Sequence, residues 1–132
     1  MKLDSDRLLT ILQSTICASV RTNAPDLSAR QLAVLLVIGV GQGMHTVRGL
    51  AARLNISKPA ISRSLDRLCV LGLADRAPDP RDGRSVLVIP TVAGLEHVAE
   101  LRQLLQEAAR PPTYRRTARR ASRMEMAQMA AE

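Results

Sequence analysis

Residues 50–65 decide the fold: Leu50-Ala51-x-x-Leu54-x-x-Ser57-x-x-x-Ile61-Ser62-Arg63-x-Leu65. Leu50, Leu54, Ile61 and Leu65 recur at helical spacing on either side of Asn55-Ile56-Ser57. That pattern predicts two short helices packed on each other across a tight turn. Ala51 is small enough to let them approach. Ser57 can cap the second helix, and Pro59 falls in its first turn, where a missing N–H costs little. This is helix-turn-helix spacing. Upstream, Thr46 caps the first helix and Val47 joins its inward face. Downstream, Leu68 continues the inward face to Leu71, and Gly72 is the natural stop.

The outward side of the second helix is read as Lys58, Pro59, Ala60, Ser62, Arg63, Asp66 and Arg67. Short side chains in the first turns would let the helix sink into the major groove of double-stranded DNA. Arg63 or Lys58 would then reach guanine edges or phosphates, and Ser62 could donate to a phosphate or accept from a base. The candidate contacts on this helix are Ser57, Lys58, Pro59, Ala60, Ser62, Arg63 and Arg67, with Arg48 as an added phosphate contact.

Two strand-like runs follow, residues 73–77 and 85–89, separated by Pro78-Asp79-Pro80-Arg81-Asp82-Gly83-Arg84. Asp82-Gly83 predicts the hairpin turn. Arg81 and Arg84 would straddle it as a wing. Arg81 is the expected minor-groove probe, because negative potential is strongest there. Arg84 either shares that role or is held by Asp82 or Asp66. Asp79, Asp82 and Gly83 set the geometry of the wing.

Around this core the remaining segments read as helices. Residues 5–21 carry Leu8, Leu12, Ile16 and Val20 every fourth residue, with Leu9 and Ile11 widening the stripe and Asp4 or Ser5 as cap. Ser28 and Gln31 form a capping box. The helix behind them is apolar almost all round to about Ile38, which marks it as central, and Gly39, Gly41 and Gly43 end it. Thr91 caps a last long helix whose Gly94, Val98, Leu101, Leu105 and Ala108 form a coiled-coil-like seam, widened by Leu95 and Leu104 and broken by Pro111-Pro112. Residues 113–132 are one more helix or a disordered tail. The fold class is therefore all-α with a small β-wing. Residues 28–90 form a winged helix-turn-helix, and residues 5–21 and 91–130 supply N- and C-terminal dimerisation helices. A lone helix cannot hide the Leu8/Leu12/Ile16 stripe. Pairing across a two-fold axis would hide it and would set two recognition helices about one turn of DNA apart.

Charge supports the same reading. The net charge is +7 over 132 residues, which suggests a polyanionic partner. Residues 48–84 hold eight Lys/Arg against four acids, and residues 110–132 hold six Arg against two acids. Arg115, Arg116 and Arg119 of the second block are candidate phosphate contacts. No nucleophile–base pair, metal cluster or phosphate loop stands out, so neither an enzyme nor a cofactor is expected. His45 and His97 lack a Cys or carboxylate at ligand spacing and read as structural or solvent-exposed. Cys17 and Cys69 match no disulfide or zinc pattern; Cys17 reads as buried and inert, Cys69 as a small hydrophobe. No apolar run is long enough to span a bilayer, and the first six residues lack a signal peptide's apolar stretch. A cytoplasmic protein located on the nucleoid is the expectation.

At residues 27–109 the chain resembles the MarR family. The resemblance rests on the order of elements, on Ser-Lys-Pro-Ala-Ile-Ser-Arg-Ser-Leu-Asp-Arg-Leu from Ser57 to Leu68, and on Asp79-Pro80-Arg81-Asp82-Gly83-Arg84, which is similar to the family's Asp-x-Arg-x-x-Arg wing. Thr91-Val92-Ala93-Gly94 looks like the family's start of the helix after the wing. The resemblance implies a homodimer on a palindromic operator, usually a repressor, often released by a small ligand or by oxidation. The chain departs from the family in two ways. It has no Phe or Trp and one Tyr, so a phenolic effector is not expected, and an effector of another kind is left unidentified. Its Arg-rich tail also differs from the mixed acidic dimer helix common in the family. Two other readings remain: a nucleoid protein binding DNA without sequence preference, and a winged helix that binds protein.

Overall fold

In the computed structural model, which describes residues 4–111, the elements run α1 (Ser5–Arg21), α2 (Ala29–Val40), β1 (His45–Thr46), α3 (Val47–Leu54), α4 (Lys58–Val70), β2 (Ala74–Asp79), β3 (Asp82–Pro90) and α5 (Val92–Ala108). The all-α plan with a small β-wing is the one observed. Each helix starts at a short polar side chain. Asp4, Ser28, Thr46, Ser57 and Thr91 accept from the backbone N–H groups of Arg7, Gln31, Gly49, Ala60 and Gly94. Each such cap satisfies an otherwise orphaned donor and contributes roughly 1 kcal/mol. Ser28 completes the capping box, its N–H donating to Gln31 Oε1 at 2.9 Å.

The core lies where α2, α3 and α4 meet the sheet. Val34 and Leu35 of α2, Leu50 of α3, and Ile61, Leu65 and Leu68 of α4 are fully buried, joined by Leu73, Ala74, Val88 and Val98. Each large aliphatic side chain so buried contributes about 1.5–3 kcal/mol. The second helix runs two residues past the expected Ile38, to Val40, with Gly41 as its cap. Gly39 is not a stop: a Cβ there would come 2.9 Å from Val98 Cγ2. It is the seat on which α5 approaches α2.

The sheet has order β1-β3-β2, antiparallel throughout. Strand β1 was not anticipated, because two residues carry no alternation to read. The wing corrects a second expectation. Its strands pair from Ala74↔Pro90 out to Asp79↔Asp82, with an irregularity at Pro78/Asp79. The turn is therefore Pro80-Arg81, and Asp82-Gly83 belongs to β3. Gly83 does not have the positive φ that a hairpin turn would ask of it. Pro80 pre-sets φ for the first central position, and the Asp79 carboxylate accepts the Arg81 N–H at 2.9 Å. That Asx-turn and the proline favour closure at 80–81 over the Asp-Gly pair.

Helix α5 is joined to the end of α4 by backbone contacts. The Thr91 hydroxyl donates to Gly72 O at 2.6 Å, and the Thr91 N–H donates to Leu73 O at 3.2 Å. A Cβ at Gly94 would stand 2.0 Å from that same Leu73 oxygen, so no side chain fits there. Further along, Gly94, His97, Val98 and Ala108 are buried, whereas Leu105 of the expected seam is 42% exposed. Helix α1 packs on α5 through Ile11 and Thr15. Arg7 donates to Ala108 O and Arg110 O at 3.3 and 2.8 Å, gripping the end of α5. Among the described residues the Leu8, Leu12, Ile16 and Val20 stripe is left exposed. Cys17 is exposed, not buried as expected: it stands two residues, about 200° of helical turn, from the buried Thr15. Among the described residues no helix is long and apolar enough to cross a membrane.

Candidate nucleic-acid interface

The turn before α4 fixes how that helix is presented. Asn55 takes the left-handed conformation, φ 53 and ψ 45, and the Ile56 N–H donates to Ala51 O at 3.1 Å. Ser57 then caps α4, its Oγ accepting the Ala60 N–H at 3.2 Å. One side of α4 is sealed by Ala60, Ile61, Ser64, Leu65 and Leu68. The other side exposes Ser57, Lys58, Pro59, Arg63, Asp66 and Arg67, with Ser62 half-buried. Ala60 is a correction to the sequence reading. At 6% exposure it packs inward, because Ala60, Ser64 and Leu68 fall on one flank at i, i+4 spacing. It packs against the helix-turn-helix core beside Ile61 and Ser64.

A residue that the sequence reading missed ties the wing to this helix. The Arg76 guanidinium, on β2, donates to Asp66 Oδ1 at 2.6 Å, to Ser62 O at 3.0 Å and to Cys69 Sγ at 3.6 Å. Asp66 therefore holds Arg76, and not Arg84 as had been one expectation. Nothing in the sequence pairs residues 66 and 76 until the start of β2 is placed against α4. Half-buried Cys69 is the third point of this anchor.

At the wing tip the Asp79 side chain is nearly buried and lies 3.5 Å from Arg81 Nε, while the Arg81 side chain is 68% exposed. Asp82 Oδ1 accepts the Arg84 N–H at 3.0 Å, a second Asx-turn, so Asp82 shapes the backbone and leaves the Arg84 guanidinium in solvent. Gly83 is exposed beside it. Two ion pairs occur among the described residues, Arg76–Asp66 and Arg81–Asp79. Exposed Arg48, Lys58, Arg63, Arg67 and Arg84 consequently have no carboxylate partner there and are available to phosphate oxygens. Arg115, Arg116 and Arg119 lie outside the described residues, as does the tail read as helix or disorder. His45 is half-buried on β1, with Nε2 buried and without a hydrogen-bond partner among the described residues, and His97 is buried on α5. Among the described residues no three His, Cys, Asp or Glu side chains converge as metal ligands would.

Comparison with known proteins gives the same arrangement. The sequence pattern of the MarR family matches residues 26–85. An HTH-type transcriptional regulator of Mycobacterium tuberculosis is 33% identical over 120 residues, covering 89% of this chain and 83% of the relative. A Mycobacterium leprae protein named as an uncharacterized HTH-type transcriptional regulator is 32% identical over 106 residues, covering 80% and 73%. Among solved structures, a transcriptional regulator from Thermotoga maritima shares the fold with a TM-score of 0.70 at 16% identity, covering 95% of this chain and 88% of its own. A mutant MarR from E. coli, solved with operator DNA, gives 0.59 at 26% identity, covering 96% and 85%. With a relative one-third identical along nearly its whole length, and with the helix-turn-helix and wing in place, the chain belongs to the MarR family of winged helix-turn-helix transcription regulators.

Proposed function

We propose that the protein is a sequence-specific repressor that binds a palindromic operator as a homodimer. The observation that carries this reading is the face of α4: Lys58, Arg63 and Arg67 are exposed and, among the described residues, have no carboxylate partner, and Arg76 ties a hairpin bearing Arg81 and Arg84 to the same helix. Helix α4 enters the major groove, with Arg63 as the first reader of base edges and Ser57, Lys58, Pro59, Ser62 and Arg67 around it. Arg81 and Arg84 reach the minor groove, with Asp79, Asp82 and Gly83 holding the tip. Arg48 and the arginines at 115, 116 and 119 add phosphate contacts and a steep salt dependence. The operator complex of the E. coli relative supports this reading.

Residues 28–90 act as the reading head, and residues 5–21 and 91–130 join two copies. The exposed Leu8, Leu12, Ile16 and Val20 stripe supports the second part, since an apolar face of that length is normally covered. The protein works in the cytoplasm, on the nucleoid, and an effector that alters the spacing of the two heads releases DNA. Fluorescence anisotropy on a random duplex and on sites selected from a pool tests the reading, with Arg63→Ala and Arg81→Ala beside the wild type. A selected palindrome should bind about a thousandfold more tightly than random DNA and be weakened by both substitutions. Equal, salt-sensitive binding everywhere would make it a non-specific nucleoid protein, and no binding at low salt a protein-binding adaptor.

A further inference from the structure

The chain carries its positive charge almost entirely on arginine. Of nineteen cationic side chains seventeen are Arg, and the two lysines are Lys2 and Lys58. Among the described residues Lys58 is the only lysine. It is the first residue of α4, the 13-residue helix that also presents Arg63 and Arg67. It is exposed, and among the described residues no carboxylate lies within ion-pair distance of it.

A cation is out of place there as far as the fold is concerned. A helix N-terminus favours negative charge, because its free N–H groups and aligned peptide dipoles make it positive. The first turn of α4 holds no acid to balance the ammonium group, and Ser57 supplies the cap. The charge of Lys58 therefore works against the helix it starts. A phosphate set against that turn would answer both the ammonium group and the helix end. Chemistry separates Lys58 from its neighbours as well. A guanidinium stays protonated and delocalised, whereas a lysine Nζ becomes a nucleophile once it has given a proton to solvent. Of the exposed cations on the reading surface, Arg48, Lys58, Arg63, Arg67, Arg81 and Arg84, one alone can be discharged by an acyl group.

We infer that Lys58 is a site of acylation, and that its modification lowers affinity for DNA. The inference rests on the DNA-binding reading above. The donor is an activated acyl group, an acyl phosphate or an acyl thioester. Nζ attacks the carbonyl carbon and an amide C–N bond forms. The bond to phosphate or sulfur breaks, and phosphate or thiolate leaves with its electron pair. The acylated side chain is neutral and loses its hold on phosphate oxygens. Helix α4 keeps its cap and sheds a cation from its positive end.

The test treats the full-length protein with acetyl phosphate, maps the product by peptide mass spectrometry and follows DNA binding by anisotropy. Lys58 should be acetylated, and a prebound selected duplex should protect it while leaving Lys2 reactive. Complete acetylation of Lys58 should raise the dissociation constants for selected and random duplexes about tenfold or more, and lower the dimer's salt slope by about two. The melting temperature should not fall, which separates a lost contact from a lost fold. Lys58→Arg keeps a cation without an acyl acceptor. Measured against its own untreated sample, its DNA affinity should not respond to the reagent, whereas Lys2→Arg should respond as the wild type does. An unmodified Lys58, no protection by the duplex, unchanged DNA affinity after complete acetylation, a lower melting temperature, or an equal response in Lys58→Arg would each overturn the inference. The untreated sample keeps the two readings apart. If it binds selected DNA and acetylation changes nothing, only this inference falls. If it binds no DNA, the proposed function falls and takes this inference with it.

Discussion

Replacing Arg76 by Met removes the wing's anchor while keeping most of the side chain's apolar stem. The pair with Asp66 is partly open to solvent, 35% and 67% exposed on the two side chains, so it contributes only about 0.2–1 kcal/mol to folding. The bond to Ser62 O adds roughly 1 kcal/mol. Global stability should therefore fall by only about 1–2 kcal/mol, a melting shift of roughly 3–10 °C for a chain of this size. The larger effect should be on DNA recognition. Without the anchor the hairpin must be ordered against α4 on binding, a cost of about 1 kcal/mol per reading head and about 2 kcal/mol for two, or roughly thirtyfold in Kd. Random DNA, which needs no fixed wing angle, should lose only one positive charge per head, a decrease of about two in the dimer's salt slope at most. Anisotropy on selected and random duplexes over a salt series measures both, and a double-mutant cycle with Asp66→Asn isolates the pair from the lost charge. If Arg76→Met left the ratio of specific to random affinity unchanged, the anchoring argument would be refuted.

Three further outcomes follow from the packing. Gly94→Ala should destabilise the fold by about 2–3 kcal/mol or more, since its Cβ must displace the Leu73 backbone oxygen; a thermal melt within about 2 °C of wild type would contradict the close approach. Leu12→Glu, at a position 52% exposed in the single chain, should leave the circular dichroism spectrum intact but convert a dimer to a monomer by light scattering, and an unaltered mass would remove α1 from the interface. Ala60→Leu should lower stability by about 1–3 kcal/mol through overpacking, whereas Arg63→Ala should leave the melt unchanged and cost about 1–3 kcal/mol in specific DNA affinity; the reverse pattern would mean that α4 faces the other way.

Helix starts were the most legible feature, because a cap is local chemistry: Asp4, Ser28, Thr46, Ser57 and Thr91 each act within three residues of themselves. The inward row of α4 was legible at Ile61, Leu65 and Leu68, where size and period agree. Ala60 was misplaced because a small side chain suits a groove-facing position as well as a close helix contact. Spacing from Leu68, which size alone hides, would have settled it. The hairpin went astray where two local signals competed, Asp-Gly against Asp-Pro, and the proline with its Asx-turn prevailed. The role of Arg76 was out of reach, since it depends on how β2 is laid against α4. Cys17 was judged by residue type, when its angular distance from Ile11 and Thr15 decided its exposure.

The joint between Thr91 and residues 72–73 has a mechanical consequence. Two hydrogen bonds and a glycine seat leave no slack there, so the wing and α5 turn together, as a crank and its arm do. The arm is 17 residues long, about 25 Å at the helical rise. A tilt of about 5° at the end gripped by Arg7 therefore displaces the other end by roughly 2 Å, about two-thirds of the rise of about 3.4 Å between successive base pairs. A stiff arm of this kind amplifies angle into distance without a hinge, so a small tilt near Ala108 is felt as a shift at the joint with the wing.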